Sequence, residues 1–384
     1  MEHAPSRRRF LQFSGTGLAL LSGCSLPRTA RTRTAGSAGV STFQYDSART
    51  GGPPGTTGPT DSVTERWTAQ TDGWAGKALA VIDDTAYVGS DGGSVYAFDG
   101  DGTERWTIST GGRIDSAPAV VNDTVYVGSH ERHVYALDAA DGTEQWRSET
   151  GQFGISSPTV VDGTVYIGNN GDGQLYALDA ADGSDRWTFG VGYSVTASPA
   201  VVDDTVYIGS GSAAYALDAA DGTERWTFET DALGNATPAV ADGTVYLRWN
   251  QKVYALDAAD GTERWAFETD DSTATPGTAP PTVVDDTVYA GVNDSIYAIA
   301  ANDGTERWSF ETGERVRSSP AVIDDSVYVG GDDGIVYALD ASDGTERWRF
   351  ETGDRNTSIS SPVVVDGTVY VGTSDGAVYA LTEQ

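Results

Sequence analysis

Cysteine, lysine and histidine are nearly missing from this sequence. Its 384 residues include one cysteine, Cys24, and two lysines, Lys77 and Lys252. A single thiol excludes a disulfide within the chain and any site built on paired thiolates. Three histidines leave little for metal chemistry: His3 stands near the N-terminus, and His130 and His133 flank Glu131-Arg132. That H-x-x-H spacing lacks the glutamate-bearing helix of a zinc protease and reads as a solvated loop, so no metal site is expected. Positive charge is scarce as well, with 24 Lys and Arg against 56 Asp and Glu, a formal charge of −32. Such a surface repels polyanions and excludes a general nucleic-acid binder. Abundant aspartate with almost no lysine fits solubility in molar salt, where the Debye length falls to about 3 Å, and a halophilic source is expected.

What the chain does have is aromatic and small. Ten Trp, 18 Tyr and 10 Phe supply large buried surfaces although hydrophobic residues reach only 39%. The 47 glycines and many aspartates suit short strands and tight turns.

The N-terminus reads as an address. Ser6-Arg7-Arg8-Arg9-Phe10-Leu11 resembles the twin-arginine export signal, with Arg7 and Arg8 as its arginine pair. The apolar stretch that follows, through Leu21, is shorter than the ~20 residues that span a bilayer. It ends in Leu21-Ser22-Gly23-Cys24, which resembles the lipobox of bacterial and archaeal lipoproteins. These resemblances imply export in a folded state, lipidation of Cys24, and residence on the outer face of the cytoplasmic membrane. Residues 1–23 are the expected signal and residues 24–60 a tether, rich in Ser, Thr, Gly and Pro. The tether carries Arg28, Arg31, Arg33 and Arg49 against Asp46, charges suited to anionic headgroups.

The remainder, residues 61–384, repeats itself. Trp67, Trp106, Trp146, Trp187, Trp226, Trp265, Trp308 and Trp348 stand 39, 40, 41, 39, 39, 43 and 40 residues apart. A period near 40 with strand-rich units predicts an all-β, eight-bladed β-propeller of four-stranded antiparallel blades. In blade 4 the expected strands are Ala200–Val202, Thr205–Gly209, Ala214–Asp218 and Glu224–Thr230. On the last, a period of two places Trp226 and Phe228 on one face and Arg225, Thr227 and Glu229 on the other. The first tryptophan strand precedes every other element, and the chain stops after the eighth third strand. The strand around Trp67 must therefore complete the last blade and close the ring, leaving no open edge.

Ala136-Leu137-Asp138-Ala139-Ala140-Asp141-Gly142-Thr143-Glu144-Gln145-Trp146 resembles the A-x-D-x-x-x-G-x-x-x-W signature of pyrroloquinoline-quinone-type propeller repeats. Blade 1 is one residue short between Asp99 and Gly102, and blade 6 has Ala300 in place of the aspartate. The resemblance implies a fold shared by quinoprotein dehydrogenases, sensor domains and lipoprotein scaffolds of outer-membrane assembly. The dehydrogenases of the family typically hold their quinone with a disulfide of adjacent cysteines, a stacking tryptophan and calcium, and they carry long insertions. With one cysteine and blades of 39 to 43 residues, no quinone cofactor is expected here. The Asp-Ala-Ala-Asp-Gly-Thr-Glu segments lack the alternating oxygen ligands of a calcium loop and read as turns.

Function in a repeat protein belongs where repeats differ. The loops leading into each blade and the loops joining its second and third strands share one face, called here the top face. The Asp-Asp and Asp-Gly turns occupy the bottom. Of ten cations that break the repeat, eight fall on the top face: Lys77, Arg113, Arg315, Arg317 and Arg355 in lead-in loops, and Arg132, Arg248 and Lys252 between strands two and three. Trp74, Phe153, Tyr193 and Trp249 belong to the same loops. The expectation is a monomeric, membrane-anchored, non-enzymatic scaffold that takes a protein or surface polymer on this face. A quinone-dependent oxidoreductase and a small-solute or sugar binder are the alternatives. If the cations instead neutralise nearby acids such as Asp115, Glu314 and Asp354, the face serves only the fold.

Overall fold

The computed structural model describes Asp46 and residues 56–76, 79–151, 156–269, 279–353 and 357–384, all within the unit spanning residues 38–384. Arg7, Arg8, Cys24, Lys77, Phe153 and Arg355 lie outside the described residues.

Each part of the repeat signature has a structural task, and blade 4 shows them. Strand β14 (Ala200–Val202) turns into β15 (Thr205–Asp218) through Asp203 and Asp204, with φ of 46° and 58°. Positive φ at both residues is what a twisted two-residue hairpin needs, and aspartate tolerates it better than most side chains. The next turn is capped twice: Asp218 Oδ1 accepts from the Ala220 amide and Asp221 Oδ1 from the Thr223 amide. The outer strand β16 (Glu224–Ala236) then pairs Trp226 with Ala216 and Glu224 with Leu217, so Arg225 sits in a bulge. Its guanidinium reaches back to Asp218 Oδ2 at 2.8 Å and Thr205 Oγ1 at 2.5 Å.

Blades join through the same residues. Trp226 is buried and donates from Nε1 to the Ala258 carbonyl of blade 5, and Tyr207 Oη donates to that same oxygen. Gly261, at φ 74°, lies flat on the indole; a Cβ there would stand 2.6 Å from Trp226 Cε3. The signature therefore links neighbours: the glycine of one blade covers the tryptophan of the blade before. Blade 1 solves its missing residue by a tighter turn, with the Gly102 amide bonded to the Asp99 carbonyl and Trp67 Nε1 to Gly100.

Eight sheets result, seven of them four-stranded. The last blade is split between the chain ends, as the strand count requires. Strand β1 (Val63–Gln70) pairs antiparallel with β31 (Ala377–Glu383), from Val63 against Glu383 to Gln70 against Ala377. Blade 4 departs from expectation. Its second and third strands form the continuous β15, and its outer strand runs past Thr230 to Ala236. Gly209 and Gly211 pair there with Ala236 and Gly234, because glycine at φ 64° lets the chain bend at Gly211 without leaving the ladder.

Candidate functional site

The top face is assembled by backbone bonds between the two loop sets. The Ile114 amide of a lead-in loop donates to the Ser90 carbonyl, the His130 amide to Arg113, and the Asp332 amide to Arg315. The expected sharing of one face by these loops is thus real.

Most of its described cations are held by acids. Arg113 Nη2 donates to Asp91 Oδ2 at 2.9 Å and to Asp115 Oδ1 at 3.2 Å. Arg317 Nε donates to Asp332 Oδ2 at 2.6 Å, Lys252 Nζ stands 3.1 Å from Glu268, and Arg132 stands 3.8 Å from Glu149. These pairs are exposed enough for water to screen them. Arg315 is exposed and has no side-chain ion pair among the described residues.

The blade 1 to blade 2 junction gathers a small charged cluster. Asp91 and Asp115 flank Arg113, and His130 Nε2 lies 2.8 Å from Asp115 Oδ2, off the line of a hydrogen bond. Burial first, and then the neighbouring Asp115 carboxylate, push the Asp91 carboxyl up to about 6 despite Arg113.

Blades 4 and 5 differ in kind. Tyr193 and Leu233 are the large apolar side chains most exposed among the described residues, at 57% and 66%; Tyr193 sits on the loop leading into blade 4 and Leu233 on the extended end of β16. Leu233 was not legible as a site residue, since nothing in the repeat marks a leucine as uncovered. Arg248 and Trp249 were expected on a loop, but they end strand β18 (Thr244–Trp249), and Lys252 begins β19 (Lys252–Asp257). Their ladder reaches Trp249 opposite Lys252, leaving a two-residue turn, Asn250-Gln251. Neither Arg248 nor Trp249 is a surface group: they are 3% and 2% exposed. Trp249 joins the apolar cluster between blades 4 and 5, its Nε1 buried without an acceptor and close against Gly234. Trp74 is half-buried in the lead-in loop of blade 1, where its carbonyl accepts from the Asp91 amide.

Comparison with known proteins supports the architecture. The structure resembles that of BamB from Moraxella catarrhalis, with 20% identity and a TM-score of 0.71 over 84% of this chain and 98% of that one. It also resembles quinohemoprotein alcohol dehydrogenase from Comamonas testosteroni, with 18% identity and a TM-score of 0.76 over 91% of this chain and 81% of that one. The computationally designed Ika8 protein matches at 19% identity and a TM-score of 0.71, over 81% and 98% of the two chains. At these identities the likeness concerns the fold. No curated protein sequence matches the chain. The family model described as outer membrane protein assembly factor BamB matches residues 60–189, 171–295 and 250–384. By that match, which spans the whole propeller, the chain belongs to the BamB family of pyrroloquinoline-quinone-like repeat proteins.

Proposed function

We propose that this protein is a non-enzymatic scaffold, exported by the twin-arginine route and lipid-anchored through Cys24 on the outer face of the cytoplasmic membrane. It binds a protein or surface polymer through its top face, as a monomer and without a cofactor. The observation that carries this reading is the contrast between the faces. Turn after turn of the bottom face repeats the same capped Asp-Gly geometry, at Asp141, Asp221, Asp260 and Asp343. The top face varies from blade to blade, and both Tyr193 and Leu233 are uncovered there. Variation concentrated on one face is how a repeat scaffold acquires a specific partner. The family's description as an assembly factor agrees with a binding role.

Photo-crosslinking in intact cells tests the reading. Probes at positions 193 and 233 should capture one recurring partner, while probes at Asp221 and Asp260 should not. Equal capture by both faces, or dye-linked alcohol oxidation by the purified protein after adding the quinone, would overturn it.

A further inference from the structure

At one position in the second strand the repeat is broken by a charge. Seven blades carry glycine there, Gly89, Gly209 and Gly330 among them, and blade 5 carries Arg248. The glycines are required by what packs on them. A Cβ would come 2.4 Å from Ile114 at Gly89, 2.5 Å from the Ala236 carbonyl at Gly209 and 2.5 Å from Ile359 at Gly330. Each of these contacts belongs to the segment leading into the following blade. A guanidinium side chain does not fit that arrangement, and the interval from Trp265 to Trp308 is the longest of the repeat, 43 residues.

Arg248 is nevertheless buried. Its Nε donates to the Asn250 carbonyl at 3.1 Å, and Nη1 is enclosed with no acceptor. No carboxylate among the described residues pairs with it, in a chain that has 56 of them. Burial, with no opposing charge, pulls its pKa down to about 10, which still leaves it protonated at neutral pH. An enclosed, unpaired guanidinium is strongly unfavourable, and the natural remedy is a ligand that brings the missing charge.

We propose that Arg248 anchors a carboxylate-binding site on blade 5, filled by a carboxylate of the bound partner or by a free carboxylic acid. With Nε committed to Asn250, the Nη1 and Nη2 edge remains, and its parallel N–H bonds match the two oxygens of a carboxylate. One guanidinium neutralises one charge; a phosphate or sulfate dianion would be left half-compensated within a strongly acidic shell. The inference deepens the scaffold reading at one point of the top face and can fail alone.

The test is a thermal titration of the full-length protein with sodium acetate, against sodium chloride at equal ionic strength. The wild type should gain several degrees saturably, and Arg248→Met should not respond. Arg248→Met should also melt higher than the wild type without acetate, having lost an uncompensated charge. Should that variant fail to fold, Arg248→Lys keeps the charge but loses the fork, and should weaken acetate binding about tenfold or more. A peptide with a free C-terminal carboxylate, compared with its amide, identifies the source: competition with acetate by the acid alone points to a partner-borne group, and acetate binding without competition to a free acid. Identical acetate responses in wild type and Arg248→Met would overturn the proposal, as would no response to acetate or peptide. Loss of this site with crosslinking at positions 193 and 233 intact would leave the scaffold reading standing.

Discussion

The indole Nε1 of Trp348 donates a 2.9 Å hydrogen bond to the carbonyl of Pro59, 289 residues earlier in the chain. Tyr328 Oη donates to the same oxygen at 3.0 Å. In other blades such a pair of donors meets the carbonyl that follows the signature aspartate, as Trp308 and Tyr289 meet Ala341. The split blade has no turn there, and the residues just before β1 supply its carbonyl instead. Thr57 adds a bond from the Gly367 amide, so the propeller's contacts begin ahead of Asp61. Deleting residues 56–60 should strand two buried donors and cost about 2–5 kcal/mol. Trp348→Phe, which keeps a ring and loses the donor, should cost less, about 1–2 kcal/mol. Chemical denaturation of the three proteins gives the order; equal stability of the deletion and the wild type would show that this carbonyl is dispensable.

The glycine in the signature should be among the least replaceable residues. Gly222 has a φ of 74°, and a Cβ on it would stand 2.6 Å from Trp187 Cε3. Gly243 has a φ of 69° with nothing within 4 Å of its Cβ position. Gly243→Ala therefore carries the backbone cost alone, about 1 kcal/mol, while Gly222→Ala adds a clash with a buried indole and should cost about 2–4 kcal/mol. Denaturant midpoints of the two variants measure the difference.

The fold was legible because its signals repeat: eight tryptophans at a period near 40 residues and a strand count that could close only one way. Individual strands were less so. Gly209 and Gly211 read as the end of a strand and a loop, yet pairing with Ala236 and Gly234 carried the ladder through both. The top face was legible as a place, but the state of its charges was not. Arg113 and Arg317 look alike in sequence to Arg248, and spacing alone does not reveal that acids meet the first two while burial encloses the third. The glycine that Arg248 replaces was a usable sign, visible once the eight second strands are aligned.

Acidification should favour the junction of blades 1 and 2. Asp91 has a folded pKa of about 6, above the usual carboxylate value, so the native state binds its proton more tightly than the unfolded chain. By linkage, its contribution is fully present below the unfolded pKa and is lost as pH rises through about 6. Asp91→Asn should therefore raise the melting temperature at pH 8 relative to wild type and flatten the local pH dependence between pH 4 and 7. Its partial exposure makes the effect small. Melting curves across that range check it, and a wild-type profile retained by the variant would assign the transition elsewhere.

Export and anchoring make separate claims. Changing Arg7 and Arg8 to Lys should hold the precursor in the cytoplasm, and Cys24→Ser should release or misprocess the protein. Cell fractionation with labelled lipid reads both. A Cys24→Ser product that stays in the membrane and migrates normally would refute the lipid anchor.

The cations of the top face divide into those serving the fold and those available to a partner, and their geometry sets how each substitution should behave. Arg113 bridges Asp91 and Asp115, and Arg317 holds Asp332, whose second carboxylate oxygen is buried without a partner. Removing either arginine exposes acids to one another or leaves a partly buried carboxylate unbalanced, so Arg113→Gln and Arg317→Gln should lower stability modestly, by about 0.5–1 kcal/mol each. Arg315 stands exposed on the same lead-in loop as Arg317, and its guanidinium has no ion pair among the described residues. Arg315→Gln should leave the melting temperature unchanged. If the face recruits an anionic partner, the same change should reduce crosslinked partner measurably, because a charge not already neutralised is the one that a partner can use. A control on the outer strands, Arg186→Gln with Arg225→Gln, breaks the pairs with Asp179 and Asp218 and should affect stability but not recruitment. Equal loss of partner from the Arg315 variant and from this control would mean that total charge governs binding, and the top face would lose its claim to specificity.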